Sequence, residues 1–249
     1  MRELLKNHKG NLTDRWSSYT QVYENFLASK KEATTAILEV GVQNGGSLEI
    51  WAKYFPSADR IVGLDINDKI RSVHFQDARI EALVLDATKD EAKSILVQKF
   101  GSKSFDLIID DGSHISGHIL RTLENFWELL SDNGVYIIED LHCSYWKFYK
   151  GGLNKHKSAV TRLADIADAI NHEHWRLKPV DVLVQYIKSY YRGRRWTKFL
   201  QSNHSTFQTI SFHNSMAVIQ KCPPNENALG AREQFGNIEA VTENLRKIV

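Results

Sequence analysis

The chain has 249 residues, 42% hydrophobic and 25% charged, with a formal net charge of +2. At that length folding buries roughly 75% of the unfolded surface, so a core forms without staples, and the near-neutral balance excludes the strongly basic footprint of a dedicated nucleic-acid binder. Cys143 and Cys222 have neither framework nor metal spacing. No apolar run reaches the roughly 20 residues of a bilayer span. The opening MRELLKNHKGNLTDRW is too polar for a signal peptide, so one cytoplasmic domain with no membrane or nucleic-acid partner is expected.

Short apolar runs alternate with amphipathic segments, which predicts βαβ units, a mostly parallel sheet and helices on both faces. Residues 1–33 read as an N-terminal helical segment and 34–222 as the core. Ala36–Val40 reads as the first strand, followed by a helix over Gly46–Tyr54 with Leu48 and Trp51 on its apolar side. Ile61–Asp65 and Ala82–Leu85 read as the second and third strands, and the continuously apolar Phe105–Asp110 as a fourth, buried on both faces. His118–Leu130 has helical spacing, Ser131–Gly134 reads as a turn, and Val135–Ile138 as a fifth strand. Ala159–His174 reads as one helix. Residues 177–204 are basic and aromatic and read as an insert or lid over the acceptor, or else as an exposed basic loop. Thr206–Phe212 and Ser215–Gln220 suit an antiparallel edge hairpin turning at His213-Asn214. The tail from 223 carries a candidate helix over Ile238–Ile248.

Two groups of residues carry chemistry. Leu38-Glu39-Val40-Gly41 followed by Gly45-Gly46-Ser47 is a glycine-rich turn between strand and helix, where backbone approaches a ligand closely and unpaired N–H groups await it. Asp65, 24 residues past Gly41, closes one βαβ unit and suits ribose hydroxyls; Asp86 ends the third strand, where it suits an adenine. The spacing is not the G-x-G-x-x-G of a dinucleotide loop. Glu39 beside the loop favours a ligand with ammonium and sulfonium charges over a pyrophosphate, which points to S-adenosylmethionine. The predicted cofactor contacts are Glu39, Gly41, Gly45, Ser47, Asp65, Asp86 and Asp110.

Strand four ends in Asp110-Asp111-Gly112-Ser113-His114 and strand five in Glu139-Asp140-Leu141-His142. Parallel neighbours would bring these carboxylates to one side of the pocket, where two charges at 4 Å repel by about 4 kcal/mol at an effective dielectric of 20. Such a cluster needs raised pKa values or a cation, and hard oxygen ligands favour magnesium, or manganese or calcium, over zinc. His114 can take a proton at neutral pH from a hydroxyl nucleophile. Structural roles stand beside these: Asp111 as a helix cap, alone or with Ser113, and Glu139 and Asp140 in ion pairs.

At these residues the chain resembles the macrocin and mycinamicin O-methyltransferases, which methylate sugar hydroxyls on macrolide antibiotics. The resemblance rests on Tyr19–Phe26, on Leu38–Gly41 with Gly45–Leu48 and Trp51, on Gly63–Ile66, on Asp110–His114, and on Tyr136–Leu141 with Ser144–Trp146. It implies a Rossmann-like class I methyltransferase: seven strands, mostly parallel, with an antiparallel C-terminal hairpin. It also implies magnesium held by Asp111 and Asp140, His114 as general base, and Glu24 as a third ligand, with Glu139 orienting the site or binding metal. Those enzymes carry a further N-terminal domain that is almost absent here, so a homo-oligomer is one expectation but their particular assembly is not carried over. The acceptor expected is a sugar-bearing small molecule or a surface glycan. A catechol-type methyltransferase, a non-catalytic cofactor-binding protein and a nucleic-acid methyltransferase using Arg192, Arg194, Arg195 and Lys198 are the alternatives.

Overall fold

The computed structural model describes residues 1–175, 193–224, 226–233 and 235. Its seven strands form one sheet: β1 (Ala36–Val40), β2 (Arg60–Asp65), β3 (Ile80–Val84), β4 (Phe105–Asp110), β5 (Leu130–Ile138), β6 (Phe207–His213) and β7 (Met216–Lys221). The order is β3-β2-β1-β4-β5-β7-β6, with β1 to β5 parallel and β7 antiparallel to both β5 and β6. The predicted sheet and edge hairpin are both present, and the strand order reverses between β1 and β4, where a crevice opens at the strand C-termini.

Side-chain alternation splits the core into two layers. From β1 and β5, Ala36, Leu38, Val40, Tyr136 and Ile138 face one layer while Ile37, Val135 and Ile137 face the other. The second layer is covered by α2 (Tyr19–Leu27) and α3 (Gly46–Tyr54), through Tyr23, Leu27, Leu48 and Trp51. The first layer is covered by α4 (Asp90–Phe100), α5 (Ser116–Phe126), α6 (Ala159–Leu163), α7 (Asp165–Ile170) and α8 (Arg194–Asn203). A short α1 (Arg2–Lys6) precedes them.

Several boundaries differ from the sequence reading. The helix predicted over His118–Leu130 ends at Phe126, because Leu130 already pairs with Phe105 in the sheet. Ser131–Gly134 lies within β5, where the register against β4 shifts between Phe105 and Leu107 and Asn133 takes a φ of 64°. The single helix predicted over 159–174 is two short helices and a 3-10 turn. The hairpin turns at Asn214-Ser215, one residue later than expected. Of the predicted insert, 177–192 lies outside the described residues, as does the tail helix. The remainder forms α8, which seats Trp196 and Phe199 in the core and pairs Arg195 with Glu124 and Asp90.

Candidate active site

Three strand ends build the crevice, and backbone hydrogen bonds fix their relation. Asp111 N–H donates to Val40 C=O at 2.9 Å, and Glu139 N–H donates to Asp110 C=O at 3.0 Å. Gly41, with φ 94°, lies so close to the next strand end that a Cβ there would stand 2.1 Å from the Asp111 carbonyl oxygen. Gly45, with φ 88°, is the left-handed N-cap of α3; an L side chain is disfavoured at both positions. Asp65 at the end of β2 accepts from Val42 and Gln43 N–H at 3.0 and 3.1 Å and from Asn67 N–H at 2.9 Å, so its carboxylate is threaded into the loop itself.

Two cavities flank Gly41. The larger, about 660 Å³, is bounded by the loop, Ser47, Asp65, Asp111, His114, Glu139, Asp140 and the segment Leu12–Trp16. The second, about 460 Å³, is more apolar and contains Leu85, Asp86, Asp110 and His118; Gly41, Asp65 and Gly112 belong to both. Asp86 accepts from Thr88 N–H and Oγ1; burial pushes its carboxyl up, but these hydrogen bonds outweigh that and hold it below its ordinary value. Asp110 is buried, with one 3.3 Å bond from Gly112 N–H and no partner for Oδ2; desolvation raises its pKa to about 7. Of the seven predicted cofactor contacts, five line these cavities; Gly45 packs against Phe75 at the start of α3, and Glu39 lies beneath, fully buried.

Asp111, His114 and Asp140 come together with one ligand atom from each within 4.8 Å of the others. His114 and Asp140 reach this position through left-handed backbone, φ 56° and 53°. His114 Nε2 is 3.8 Å from Asp140 Oδ2; burial lowers the imidazole pKa and Asp140 partly offsets it. Burial and then Glu139 push the Asp111 carboxyl well above its ordinary range, against the opposing pull of Arg15. Asp140 Oδ1 accepts from Tyr19 hydroxyl at 2.6 Å and Trp16 Nε1 at 3.1 Å.

Glu24 does not join this group. Tyr23 and Tyr19 occupy the face of α2 turned to the crevice, and Glu24, one residue round the helix, is bonded to the Met1 amino group at 2.5 Å and to Tyr54 hydroxyl at 3.1 Å. Glu139 is buried and engaged by Arg15 and Tyr23 hydroxyl, the ion-pair role rather than a position beside Asp111 and Asp140 in the ligand group. Asp111 does not cap a helix: Ile115 occupies the N-cap of α5.

Arg15 is the residue that sequence reasoning missed. Its guanidinium is 5% exposed, donates to Glu39 at 2.8 Å, to Tyr23 hydroxyl at 2.8 Å and to Glu139, and stands 4.0 Å from Asp111. The faces of Trp51 and Tyr23 lie 5.3 and 5.5 Å from it. Glu39 spends its other oxygen on Ser47 and Trp51. Burial disfavours the Arg15 cation, and Glu139, Tyr23 and Glu39 together overcome that. Tyr19, also missed, reaches Ser215 in the β6–β7 turn, which in turn holds His142 at 2.5 Å. For Tyr19 the available signals were the i, i+4 tyrosine pair and its place in the Tyr19–Phe26 stretch; nothing local marks Arg15.

The family model described as a methyltransferase domain matches residues 38–141. The 8-demethyl-8-alpha-L-rhamnosyl tetracenomycin-C 2'-O-methyltransferase of Streptomyces olivaceus is 30% identical over 219 residues, 84% of this chain and 52% of the relative. The demethylmacrocin O-methyltransferase of Streptomyces fradiae is 31% identical, covering 65% of this chain and 43% of its own. The chain thus spans about half the length of the curated relatives it matches. Among solved structures, the MycE methyltransferase of the mycinamycin biosynthetic pathway, in complex with Mg and SAH, superposes with a TM-score of 0.67 at 22% identity, over 88% of this chain and 54% of that one. With the sheet order, glycine turn and acidic strand ends on the page, the chain has the class I methyltransferase fold and resembles the macrocin and mycinamicin O-methyltransferases.

Proposed function

We propose that this chain is an S-adenosylmethionine-dependent O-methyltransferase that needs a divalent cation and acts on a sugar hydroxyl of a natural product or glycan. The observation that carries the reading is the convergence of Asp111, His114 and Asp140 on the wall of the cavity that the glycine turn also lines. The relatives are named as O-methyltransferases of a rhamnosyl tetracenomycin C and of demethylmacrocin, and MycE was crystallised with Mg, SAH and mycinamycin VI. A cytoplasmic setting suits the two buried free thiols, Cys143 and Cys222.

The residues present fit both bound groups. Two cavities meeting at Gly41 suit an elongated ligand with a polar and an apolar end, and Asp65 and Asp86 on their walls offer carboxylates suited to ribose and adenine. The Asp111 and Asp140 carboxylates form a hard oxygen donor pair suited to magnesium, with the His114 imidazole beside them. Asp111 and Asp140 would hold the ion, which supplies positive charge beside the acceptor oxygen; the donor supplies an electrophilic methyl on sulfur. The chain's own part is orientation and proton transfer. His114, kept neutral by burial, takes the acceptor's hydroxyl proton on its ring nitrogen. Tyr19 and Trp16 fix the Asp140 carboxylate. Arg15 holds Glu39 and Glu139 in place beneath the glycine turn.

Mass spectrometry of glycoside acceptors incubated with the protein, S-adenosylmethionine and magnesium tests the reading. Methylation should appear on sugars and not catechols, and disappear with EDTA. His114→Ala should lose at least about 10²-fold in kcat while calorimetric cofactor binding is kept. If His114→Ala instead abolishes Mn²⁺ binding, the imidazole is a ligand and not the base.

A further inference from the structure

Beyond His114 lies a run of aromatic side chains with exposed outer members. A string of rings leads out of the site: Trp16 to His142 at 5.7 Å, His142 to Trp146 at 4.7 Å, Trp146 to Tyr149 at 6.1 Å, and Tyr149 to Phe148 at 5.2 Å. Tyr149 is also 6.3 Å from the His114 ring. The outer members are strongly exposed: Phe148 at 88%, Leu153 at 77% and Trp146 at 52%. The loop that carries them is well anchored. Gly151 and Gly152 N–H groups donate to Trp146 and Ser144 carbonyls, Lys155 N–H to Gly152, and Ser158 caps α6.

The same loop is basic. Lys147, Lys150, Lys155 and Lys157 lie between 141 and 158, a stretch with no Asp or Glu. All four are exposed, and none has a carboxylate partner among the described residues. Exposed apolar tips set among lysines, with tryptophan and tyrosine at the polar boundary, are the composition of a surface that dips into a bilayer interface. Unpaired lysines add attraction for anionic headgroups. A soluble glycoside alone would leave Phe148 and Leu153 in water.

We propose that the loop 145–157 docks on an anionic lipid surface and that the acceptor is therefore a membrane-anchored glycan, presented to His114 from the bilayer face. This rests on the O-methyltransferase reading for the acceptor's identity, though not for the docking. No helix among the described residues is long and apolar enough to cross a membrane, so the contact is peripheral.

The test is sedimentation of the full chain with vesicles of phosphatidylcholine alone or with 30% phosphatidylglycerol. Binding to the anionic vesicles should be at least tenfold tighter and fall steeply in 0.5 M salt. Phe148→Ser with Leu153→Ser, and separately Lys147→Glu with Lys150→Glu, should each reduce it at least tenfold at an unchanged Tm. Equal binding to both vesicles, no binding, or full binding by either double variant overturns the inference. Methylation of soluble glycosides is scored in parallel. A protein that methylates them but stays off vesicles refutes the docking and leaves the methyltransferase reading standing; one that binds vesicles and methylates no glycoside, soluble or vesicle-borne, does the reverse.

Discussion

Replacing Arg15 by methionine keeps the aliphatic packing against Trp51 and Tyr23 and removes the charge. Glu39 then loses the 2.8 Å donor to Oε1, and Glu139 keeps only the Tyr23 hydroxyl. Both carboxylates are almost wholly buried, at 0% and 2% exposure, so water cannot replace the guanidinium. Removing one partner of a buried ion pair costs ~3–5 kcal/mol. In a chain of this size each kcal/mol shifts the midpoint by roughly 2–4 °C, so Tm should fall by about 10 °C. Arg15→Lys, with charge but no fork to span Glu39 and Glu139, should fall between. The deficit should also depend on pH. Burial already raises Glu39 and Asp111 above their ordinary values. An acid raised in the folded state stabilises it below the unfolded pKa, and that contribution is lost as pH rises through the folded value. Removing Arg15 raises both further, so the variant should come closest to wild type near pH 5 and fall furthest behind at pH 8. Differential scanning calorimetry of the cofactor-free protein across that range decides the matter. A variant melting within 2 °C of wild type at pH 8 would refute the view that Arg15 holds the acidic floor together.

Gly41→Ala puts a Cβ 2.1 Å from the Asp111 carbonyl at a φ of 94°, so the turn must shift and calorimetric cofactor affinity should drop at least about tenfold; an unchanged affinity would mean the turn is not the binding loop. Asp110→Asn should stabilise the cofactor-free protein by about 2–3 kcal/mol more at pH 8 than at pH 5, since a carboxyl raised to about 7 loses its contribution progressively between its unfolded value and that pH; urea unfolding at the two values reads the difference, and equal effects at both would contradict it. Tyr19→Phe removes the 2.6 Å donor to Asp140 and should weaken Mn²⁺ binding about 10–100-fold by calorimetry, as loss of a partner that orients a ligand does; full affinity would leave Tyr19 a purely structural role.

The parallel strands were legible because burial on both faces writes them as apolar runs: Phe105–Asp110 and Ala36–Val40 were read to the residue. The third strand and the helix after it were harder. β3 lies at the sheet edge with every residue only partly buried, and α4, for which no helix was anticipated, buries just Ala92 and Leu96. The strand-end acids were legible for a related reason. Each follows directly on a recognisable strand, and parallel neighbours bring consecutive C-termini together. Glu24 was not legible correctly, because one residue of helix rotation separates a side chain facing the crevice from one facing Tyr54.

Arg15 lies outside what local pattern can reach, since its partner Glu139 is 124 residues away. Its place follows instead from charge. Asp111, Glu139 and Asp140 line one cavity with Glu39 buried beneath it, and carboxylates so close repel one another unless cations lie among them. Arg15 supplies one positive charge from within the chain, at the two most buried members of the set. What remains on the solvent side, Asp111 and Asp140, matches a divalent ion in charge and donor chemistry. The last negative charge sits beside the glycine turn, where a methyl donor with a net single positive charge would lie. A single buried guanidinium thus separates a structural half of the acidic cluster from a chemical half. On the proposed reading Asp111 and Asp140 would hold the ion, while Glu39 and Glu139 stay bound to Arg15.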